Sequence, residues 1–372
     1  MSELLLIGGG GTGGHIYPAI AIAKEYLARD AKRQVLFVGT EKGLEKTIVP
    51  KAGYPLEFLS IGGLKGKGPV ELLKNIGRLP LSFVQAWKIL GRHKPSVVLG
   101  VGGYSSGPML LAARLRGVPT MIHEQNAYPG LTNRLLARVV RGVAVAFADA
   151  APRLRRPDAV VTGNPIRSEF FEAGRTSHGG ARRRLLIFGG SQGSRILNDA
   201  MIGALLFLAR MKDSLEIVHQ TGPVELEKVR TAYRSSAFPE ARVVPYLDPI
   251  VGEIADADLV VSRAGAMTIG ELAAIGRAAI LVPFAAATNN HQELNARVVE
   301  RAGGAIVITE PQLTPERLAG AISDVIADAS RASQMGSAAK SLALPDATAS
   351  IVNFLERLQA STSASKINNR AI

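Results

Sequence analysis

The sequence predicts an α/β fold of two doubly wound, Rossmann-like parallel-sheet domains facing one another across a cleft. Three observations predict it. Short Val/Ile/Leu runs alternate with helical patterns along the whole chain, as in parallel strands covered on both faces. Three of those runs enter glycine-dense turns: Leu4–Ile7 into Gly8–His15, Val97–Leu99 into Gly102–Gly107, and Leu185–Phe188 into Gly189–Ser194. At 372 residues the chain is too long for one compact core, so two domains of ordinary size are expected.

In chain order, strands are expected near 3–8, 34–39, 54–60, 96–100, 118–123 and 142–146, with helices near 14–29, 69–92, 105–115 and 130–137. The second half repeats the alternation with strands near 184–188, 215–219, 241–244, 258–262, 278–282 and 304–308. The basic, Pro-rich stretch 152–157 followed by Gly163-Asn164-Pro165 marks the junction. The domains are therefore drawn as 1–163 and 164–345, followed by a C-terminal helix over 346–360 and a disordered polar tail over 361–372. Residues 174–183 read as a surface loop.

Apolar residues make up 47% of the chain and charged residues 20%, a balance that folds rather than staying disordered. The start, Met1-Ser2-Glu3, has no basic region and its apolar run ends at Gly8, so no signal peptide is expected. No apolar run approaches the roughly 20 residues of a spanning helix. The absence of cysteine rules out a disulfide framework and agrees with a cytoplasmic protein. Net charge is +13, and it is lopsided: residues 1–163 hold 22 basic against 10 acidic side chains, residues 164–372 hold 22 against 21. A basic first half attracts a phosphorylated substrate, an acidic membrane face or nucleic acid.

A glycine turn lets backbone N–H groups and a helix N-terminus converge with no Cβ in the way, which suits a phosphate. The first turn contains G-x-G-x-x-G at Gly8, Gly10 and Gly13, so a nicotinamide dehydrogenase competes. The carboxylate such a site needs at the second strand's tip is represented only by Glu41, after Val38-Gly39-Thr40. More specific is Ser262-Arg263-Ala264-Gly265-Ala266-Met267-Thr268-Ile269-Gly270-Glu271, where a strand opens into a helix. A carboxylate at Glu271 can accept hydrogen bonds from both hydroxyls of a ribose. Gln292 and Asn295 begin a further helix with amides that reach a sugar. Asp256-Ala257-Asp258 spells a metal-binding D-x-D, but it precedes its strand, so it is expected at the opposite sheet edge as a solvated corner, and no metal site is assigned.

The strings Gly10-Gly11-Thr12-Gly13-Gly14-His15, Gly102-Gly103-Tyr104, His123-Glu124-Gln125-Asn126, Gly163-Asn164-Pro165-Ile166-Arg167, Gly189-Gly190-Ser191-Gln192-Gly193 and Ser262-Arg263-Ala264-Gly265 resemble the bacterial undecaprenyldiphospho-muramoylpentapeptide β-N-acetylglucosaminyltransferases, which form lipid II. The resemblance runs from about residue 4 to 358. It implies a GT-B fold and inverting transfer of GlcNAc from UDP-GlcNAc to the muramoyl 4-hydroxyl of lipid I, in peptidoglycan synthesis and without a cofactor. By motif, Ser191, Leu247, Ala266, Met267, Thr268, Ile269, Gly270, Glu271 and Gln292 would hold the nucleotide sugar, Leu247 through its backbone. Thr12, Gly13, Gly14, Asn126 and Arg167 would close on it from the first domain and the hinge. His291 stands where some members carry glutamine.

The chemistry needs a base, and His15 titrates in the useful range. Glu124 is expected to orient His15 or to act as base itself, while Asn198 and Asn133 read as scaffold or acceptor-loop residues. Backbone N–H groups at the Ser191 and Ala266 turns and the Arg167 guanidinium would meet the leaving diphosphate. Competing readings are a diacylglycerol glycosyltransferase, a UDP-GlcNAc 2-epimerase, and a non-catalytic binder of anionic lipid or nucleic acid. Over residues 65–92, Leu72, Leu73, Ile76, Pro80, Phe83, Val84 and Trp87 fall on one helical arc, opposite Lys74, Arg78, Lys88 and Arg92. That stripe reads first as a core face, with Pro80 breaking the segment in two. The resemblance places membrane docking here, on Lys65, Lys67, Lys74, Arg78, Leu81 and Arg92. The implied partners are the UDP-GlcNAc donor, the polyprenyl-diphosphate-linked acceptor, an anionic surface at the cytoplasmic face of the inner membrane, and cell-wall synthesis machinery, with no nucleic acid.

Overall fold

The computed structural model describes residues 3–61, 77–174 and 182–368. Two compact units emerge: Met1–Pro165 together with Asp346–Ile372, and Ile166–Pro345. The first is built on seven parallel strands, β1 (Leu4–Gly8), β2 (Gln34–Gly39), β3 (Leu56–Phe58), β4 (Val97–Gly100), β5 (Thr120–Glu124), β6 (Gly142–Val145) and β7 (Val160–Val161). Their order is β3-β2-β1-β4-β5-β6-β7. The second unit has six, β8 (Arg183–Phe188), β9 (Leu215–Gln220), β10 (Arg242–Val244), β11 (Leu259–Ser262), β12 (Ala278–Leu281) and β13 (Ala305–Val307), ordered β10-β9-β8-β11-β12-β13. Every expected strand lies within two residues of an observed one. β7 went unread because two residues after Pro157-Asp158 show no periodicity.

Each sheet is apolar on both faces because helices cover both. In the second unit Leu185, Ile187, Leu259, Val261 and Ile280 meet Leu197, Met201, Leu208, Leu318 and Ile322 from the helices Arg195–Leu208 and Pro315–Ile326. In the first unit one face packs Leu6, Val98 and Ile122 against the helices Leu79–His93 and Ser106–Leu115. The other face is covered partly by the last helix of the chain.

That last helix, Ala347–Asn368, returns to the first unit after the second is complete. Ile351, Val352 and Leu355 are fully buried among Leu5, Ile7, Val97 and Leu99. Glu356 pairs with Arg29 (2.9 Å) and Arg33 (2.8 Å), which hold its carboxyl below the usual range although burial pulls it upward. The Gln359 amide donates to the Tyr26 hydroxyl (2.8 Å) and to Ser96 Oγ (2.7 Å). The helix runs on to Asn368, so the expected end at 360 and the expected disordered tail from 361 are corrected for residues 361–368. Neither Gly nor Pro occurs there to stop it. Residues 369–372 and most of the expected 174–183 loop lie outside the described residues.

Leu355→Ala should cost about 2–5 kcal/mol, the range for truncating a fully buried leucine. Urea unfolding checks this, and a cost under about 1 kcal/mol would show that the helix is not part of the first unit's core.

Candidate active site

In both units the strand order reverses beside the first strand, between β1 and β4 and between β8 and β11. Loops leaving the C-terminal ends of such strand pairs diverge and form the binding crevice of this architecture.

In the first unit the turn after β1 is braced internally. Gly9 N–H donates to Val38 O (3.1 Å) and Gly10 N–H to Gly102 O (3.4 Å). Gly11 N–H donates to Glu45 Oε2 (2.7 Å), whose other oxygen accepts from Thr40 N–H (2.8 Å) and Thr40 Oγ1 (2.9 Å). Gly103, at φ +84°, lies so close that a Cβ would sit 2.5 Å from Gly10 O. The phosphate-cradle expectation therefore fails for Gly9–Gly11, whose donors are taken. Donors without an intrahelical acceptor lie at Gly13 and Gly14, where the helix Gly13–Ala28 begins. Of the acids near the tip of β2, Glu41 is exposed and the buried Glu45 is turned into the loop.

His15, half-buried on that helix, presents Nδ1 to Gln125 Oε1 at 3.0 Å. Glu124, at the end of β5, does not orient His15 as expected. Its Oε1 accepts from Asn126 N–H (3.0 Å) and Asn126 Nδ2 (3.3 Å), and its Oε2 from Gly130 N–H (3.1 Å) and Asn133 Nδ2 (2.8 Å). Four donors on a buried carboxylate occupy the lone pairs a base would use. Glu124 thus shapes the loop that carries Asn126, and Asn133 is its partner. Thr12 is exposed at the N-cap of the His15 helix.

In the second unit the turn after β8 crosses the strand tip of β9. A Cβ on Gly193, at φ +73°, would fall 1.9 Å from Thr221 O. Thr221 is held by Asn198 Nδ2, which donates to its carbonyl (3.0 Å), while Asn198 Oδ1 meets His219 Nε2 (3.1 Å) and His219 Nδ1 meets the Tyr233 hydroxyl (3.1 Å). Burial pushes His219 down to about 3, so it stays neutral. Ser191 stands exposed on this turn.

The helix Ala266–Ile275 follows β11. Ile269 N–H makes its first internal bond, to Gly265 O (2.9 Å), leaving Ala266, Met267 and Thr268 N–H without intrahelical acceptors. The side chain of Ile269 is 4% exposed and a Cβ on Gly270 would meet Ile166 at 2.5 Å. The Ile269 side chain packs inward, and Gly270 lies against Ile166. Glu271 differs from Glu45 and Glu124: its carboxylate accepts no hydrogen bond from the described residues. Burial pushes it up to about 7, against the lowering effect of Arg167, while Glu169 raises it. Arg167 pairs with Glu169 at 2.9 Å and lies over the Phe170 ring.

Gln292 Oε1 accepts from Phe284 N–H (3.0 Å), which turns its amide nitrogen outward. Leu247 is buried in the loop after β10. His291 Nδ1 meets Thr288 O (2.7 Å), a local turn contact. Arg263 pairs with Glu310 (2.6 Å) and donates to Val282 O (3.2 Å), so it holds the loop after β12. Asp256 and Asp258 pair with Arg184 and Arg183, both at 2.9 Å, where β8 and β11 begin. That is the edge opposite the glycine turns, as expected for a charged corner.

The expected helix over 69–92 is described from Leu79, with Pro80 in its first turn; Lys65, Lys67, Lys74, Leu72, Leu73 and Ile76 lie outside the described residues. Its buried face is Ser82, Ala86, Ile89 and Leu90, whereas Leu81, Val84 and Trp87 are exposed. The core-face reading is thus overturned for Val84 and Trp87. Arg78 is exposed, and Arg92 pairs with Glu57 (3.1 Å).

The chain matches the glycosyltransferase family 28 N-terminal domain over residues 5–145 and the C-terminal domain of the same family over residues 184–351. A UDP-N-acetylglucosamine–N-acetylmuramyl-(pentapeptide) pyrophosphoryl-undecaprenol N-acetylglucosamine transferase of Myxococcus xanthus is 45% identical over 359 residues, covering 96% of this chain and 94% of its own. The protein of the same name from Syntrophotalea carbinolica is 47% identical over 343 residues, covering 92% and 95%. Among solved structures, MurG of Acinetobacter baumannii superposes with a TM-score of 0.82 at 29% identity, covering 95% of this chain and 99% of its own.

Gly193→Ala should destabilise the second unit by about 1–3 kcal/mol, the cost of a strained left-handed residue compounded by the Thr221 clash. Urea unfolding reads it, and a neutral result would show that the turn does not need its close crossing.

Proposed function

Because the chain belongs to glycosyltransferase family 28, among its lipid II-forming members, we propose how its residues carry a reaction that the family defines. The enzyme transfers GlcNAc from UDP-GlcNAc to the muramoyl 4-hydroxyl of lipid I, with inversion at the anomeric carbon. The second unit holds the donor, and the observation that carries this is Glu271. A half-buried carboxylate without hydrogen-bond donors, one turn inside a helix whose first N–H groups are free, suits a ribose diol beside a diphosphate. The N–H groups of Ala266, Met267 and Thr268, the Ser191 turn and the Arg167 guanidinium take up charge on the departing UDP. The Gln292 amide reaches the sugar, and Leu247 offers its backbone to the base.

The first unit supplies the acceptor side. His15 Nε2 removes the proton of the 4-hydroxyl as that oxygen bonds to C1 and the bond from C1 to the diphosphate oxygen breaks. Thr12, Gly13, Gly14 and Asn126 contact the sugar of the donor. Glu124 acts through the loop that carries Asn126.

No helix among the described residues is long and apolar enough to cross a membrane. Docking at the cytoplasmic face of the inner membrane is supported by the helix Leu79–His93, which exposes Leu81, Val84 and Trp87 beside Arg78 and Lys88. The adjoining helix Ser106–Leu115 exposes Leu111 and Leu115. Each basic side chain near an anionic surface adds about 1 kcal/mol, so a handful gives reversible docking.

Ribose hydroxyls donate to the ionised Glu271, so the donor prefers the deprotonated enzyme. With its carboxyl near 7 in the free protein, the Kd for UDP-GlcNAc should rise about tenfold per pH unit below 7 and level off above about 8. Glu271→Ala should cost about 1.5–3 kcal/mol of donor affinity, and Glu271→Gln should flatten the pH profile. Calorimetric titration checks both; unchanged affinity in the alanine variant refutes the donor assignment.

For the membrane surface, Arg78→Glu with Lys88→Glu and Leu81→Ser should abolish sedimentation with anionic vesicles while UDP-GlcNAc affinity holds. Raised salt should imitate the charge changes in the unaltered protein. Continued sedimentation of the triple variant at low salt would assign the basic half to another ligand.

A further inference from the structure

The environment of His15 can be followed atom by atom, because each step ends on a group whose hydrogen-bonding role is fixed. Gln125 is 1% exposed, and its amide nitrogen lies 3.0 Å from Val101 O and 3.3 Å from His123 O. Carbonyls only accept, so the nitrogen of this amide must face them and its oxygen must face His15. That oxygen lies 3.0 Å from His15 Nδ1 and cannot donate, so Nδ1 carries the hydrogen. In the neutral ring Nε2 is then left with its lone pair. A histidine on the far side braces the same amide. His123 is fully buried, and its Nε2 faces Gly163 O at 3.0 Å, again a pure acceptor, so the proton sits on Nε2. Its Nδ1 lies 3.2 Å from the Gln125 amide nitrogen and shares with His123 O one of that nitrogen's two hydrogens, the other going to Val101 O. Burial pushes His123 down to about 4, so this donor–acceptor pattern persists across the physiological range.

The geometry points to Gln125 as a positioning residue that fixes His15 in the Nδ1–H tautomer, with His123 locking the amide that does so. Whereas a carboxylate in this place would add charge and raise the basicity of the imidazole, a neutral amide sets the tautomer without doing so. Gln125 touches no reacting atom and acts through His15. The inference deepens the assignment of His15 as the base and rests on it.

The test pairs ring nitrogen-15 NMR of His15 with steady-state transfer from UDP-GlcNAc to a soluble lipid I analogue. In the unaltered enzyme Nδ1 should be protonated and Nε2 not. Gln125→Met, which keeps the volume but removes the acceptor, should shift His15 toward the Nε2–H form. It should lower kcat by roughly 100-fold, within the range for a base of wrong protonation state, with KM for UDP-GlcNAc unchanged. An Nε2-protonated His15 in the unaltered enzyme overturns the proposal even where Gln125→Met fails to fold, as does a folded Gln125→Met with normal tautomer and kcat. His15→Ala separates the two readings: if it keeps normal kcat, the base assignment fails, while the tautomer signal of the unaltered enzyme still reports on Gln125.

Discussion

Close backbone approach at the C-terminal end of each unit's first strand is the constraint on which the rest depends. Two loops leaving neighbouring strands must pack so tightly that a Cβ on Gly103 would intrude on Gly10, and one on Gly193 on Thr221. Only glycine satisfies this at those backbone angles. The glycine density that dominates the sequence therefore first serves loop-on-loop packing. Ligand access is what remains at the donors the packing leaves over: Gly13 and Gly14 in the first unit, Ala266 to Thr268 in the second. The closely braced turn and the open helix N-terminus are two outcomes of one rule, that each buried N–H finds an acceptor.

Three carboxylates show how scaffold and site divide. Glu45 and Glu124 accept three and four hydrogen bonds from loop donors, and each fixes a loop. Glu271 accepts none from the described residues, and burial without donors drives it up to about 7. Carrying an unsatisfied carboxylate costs stability, a cost the donor ribose can offset. The buried histidines form a parallel contrast. His123 and His219 are neutral and hold neighbouring amides in place, while half-buried His15 meets Gln125 through Nδ1.

Much of this was legible in the sequence because parallel strands buried on both faces are continuous apolar runs. The glycine turns and the Ala266 helix were readable for the same reason, as interruptions of that pattern. Roles at the end of β5 and just after it were not readable. A strand buried on both faces shows no alternation, so nothing in His123-Glu124-Gln125-Asn126 says that the glutamine, not the glutamate, faces His15. Glu45 escaped notice because its partners are backbone groups of a loop far away in sequence. The stripe on Leu79–His93 misled because apolar side chains lie on both the buried and the exposed faces of that helix, and hydrophobicity alone does not separate them. The C-terminal tail was read by composition, which marks polarity but not the absence of a helix breaker.

The central claim is that the Ser191 turn and the Ala266 helix of the second unit bind the nucleotide while the braced turn Gly9–Gly11 of the first does not. Backbone amide chemical shifts on titration with UDP test it most directly. The account predicts large shifts at Ser191, Leu247, Ala266, Met267, Thr268 and Glu271, with Gly9, Gly10 and Gly11 unmoved. Shifts concentrated in Gly9 to Gly11, with the Ala266 helix silent, would contradict it.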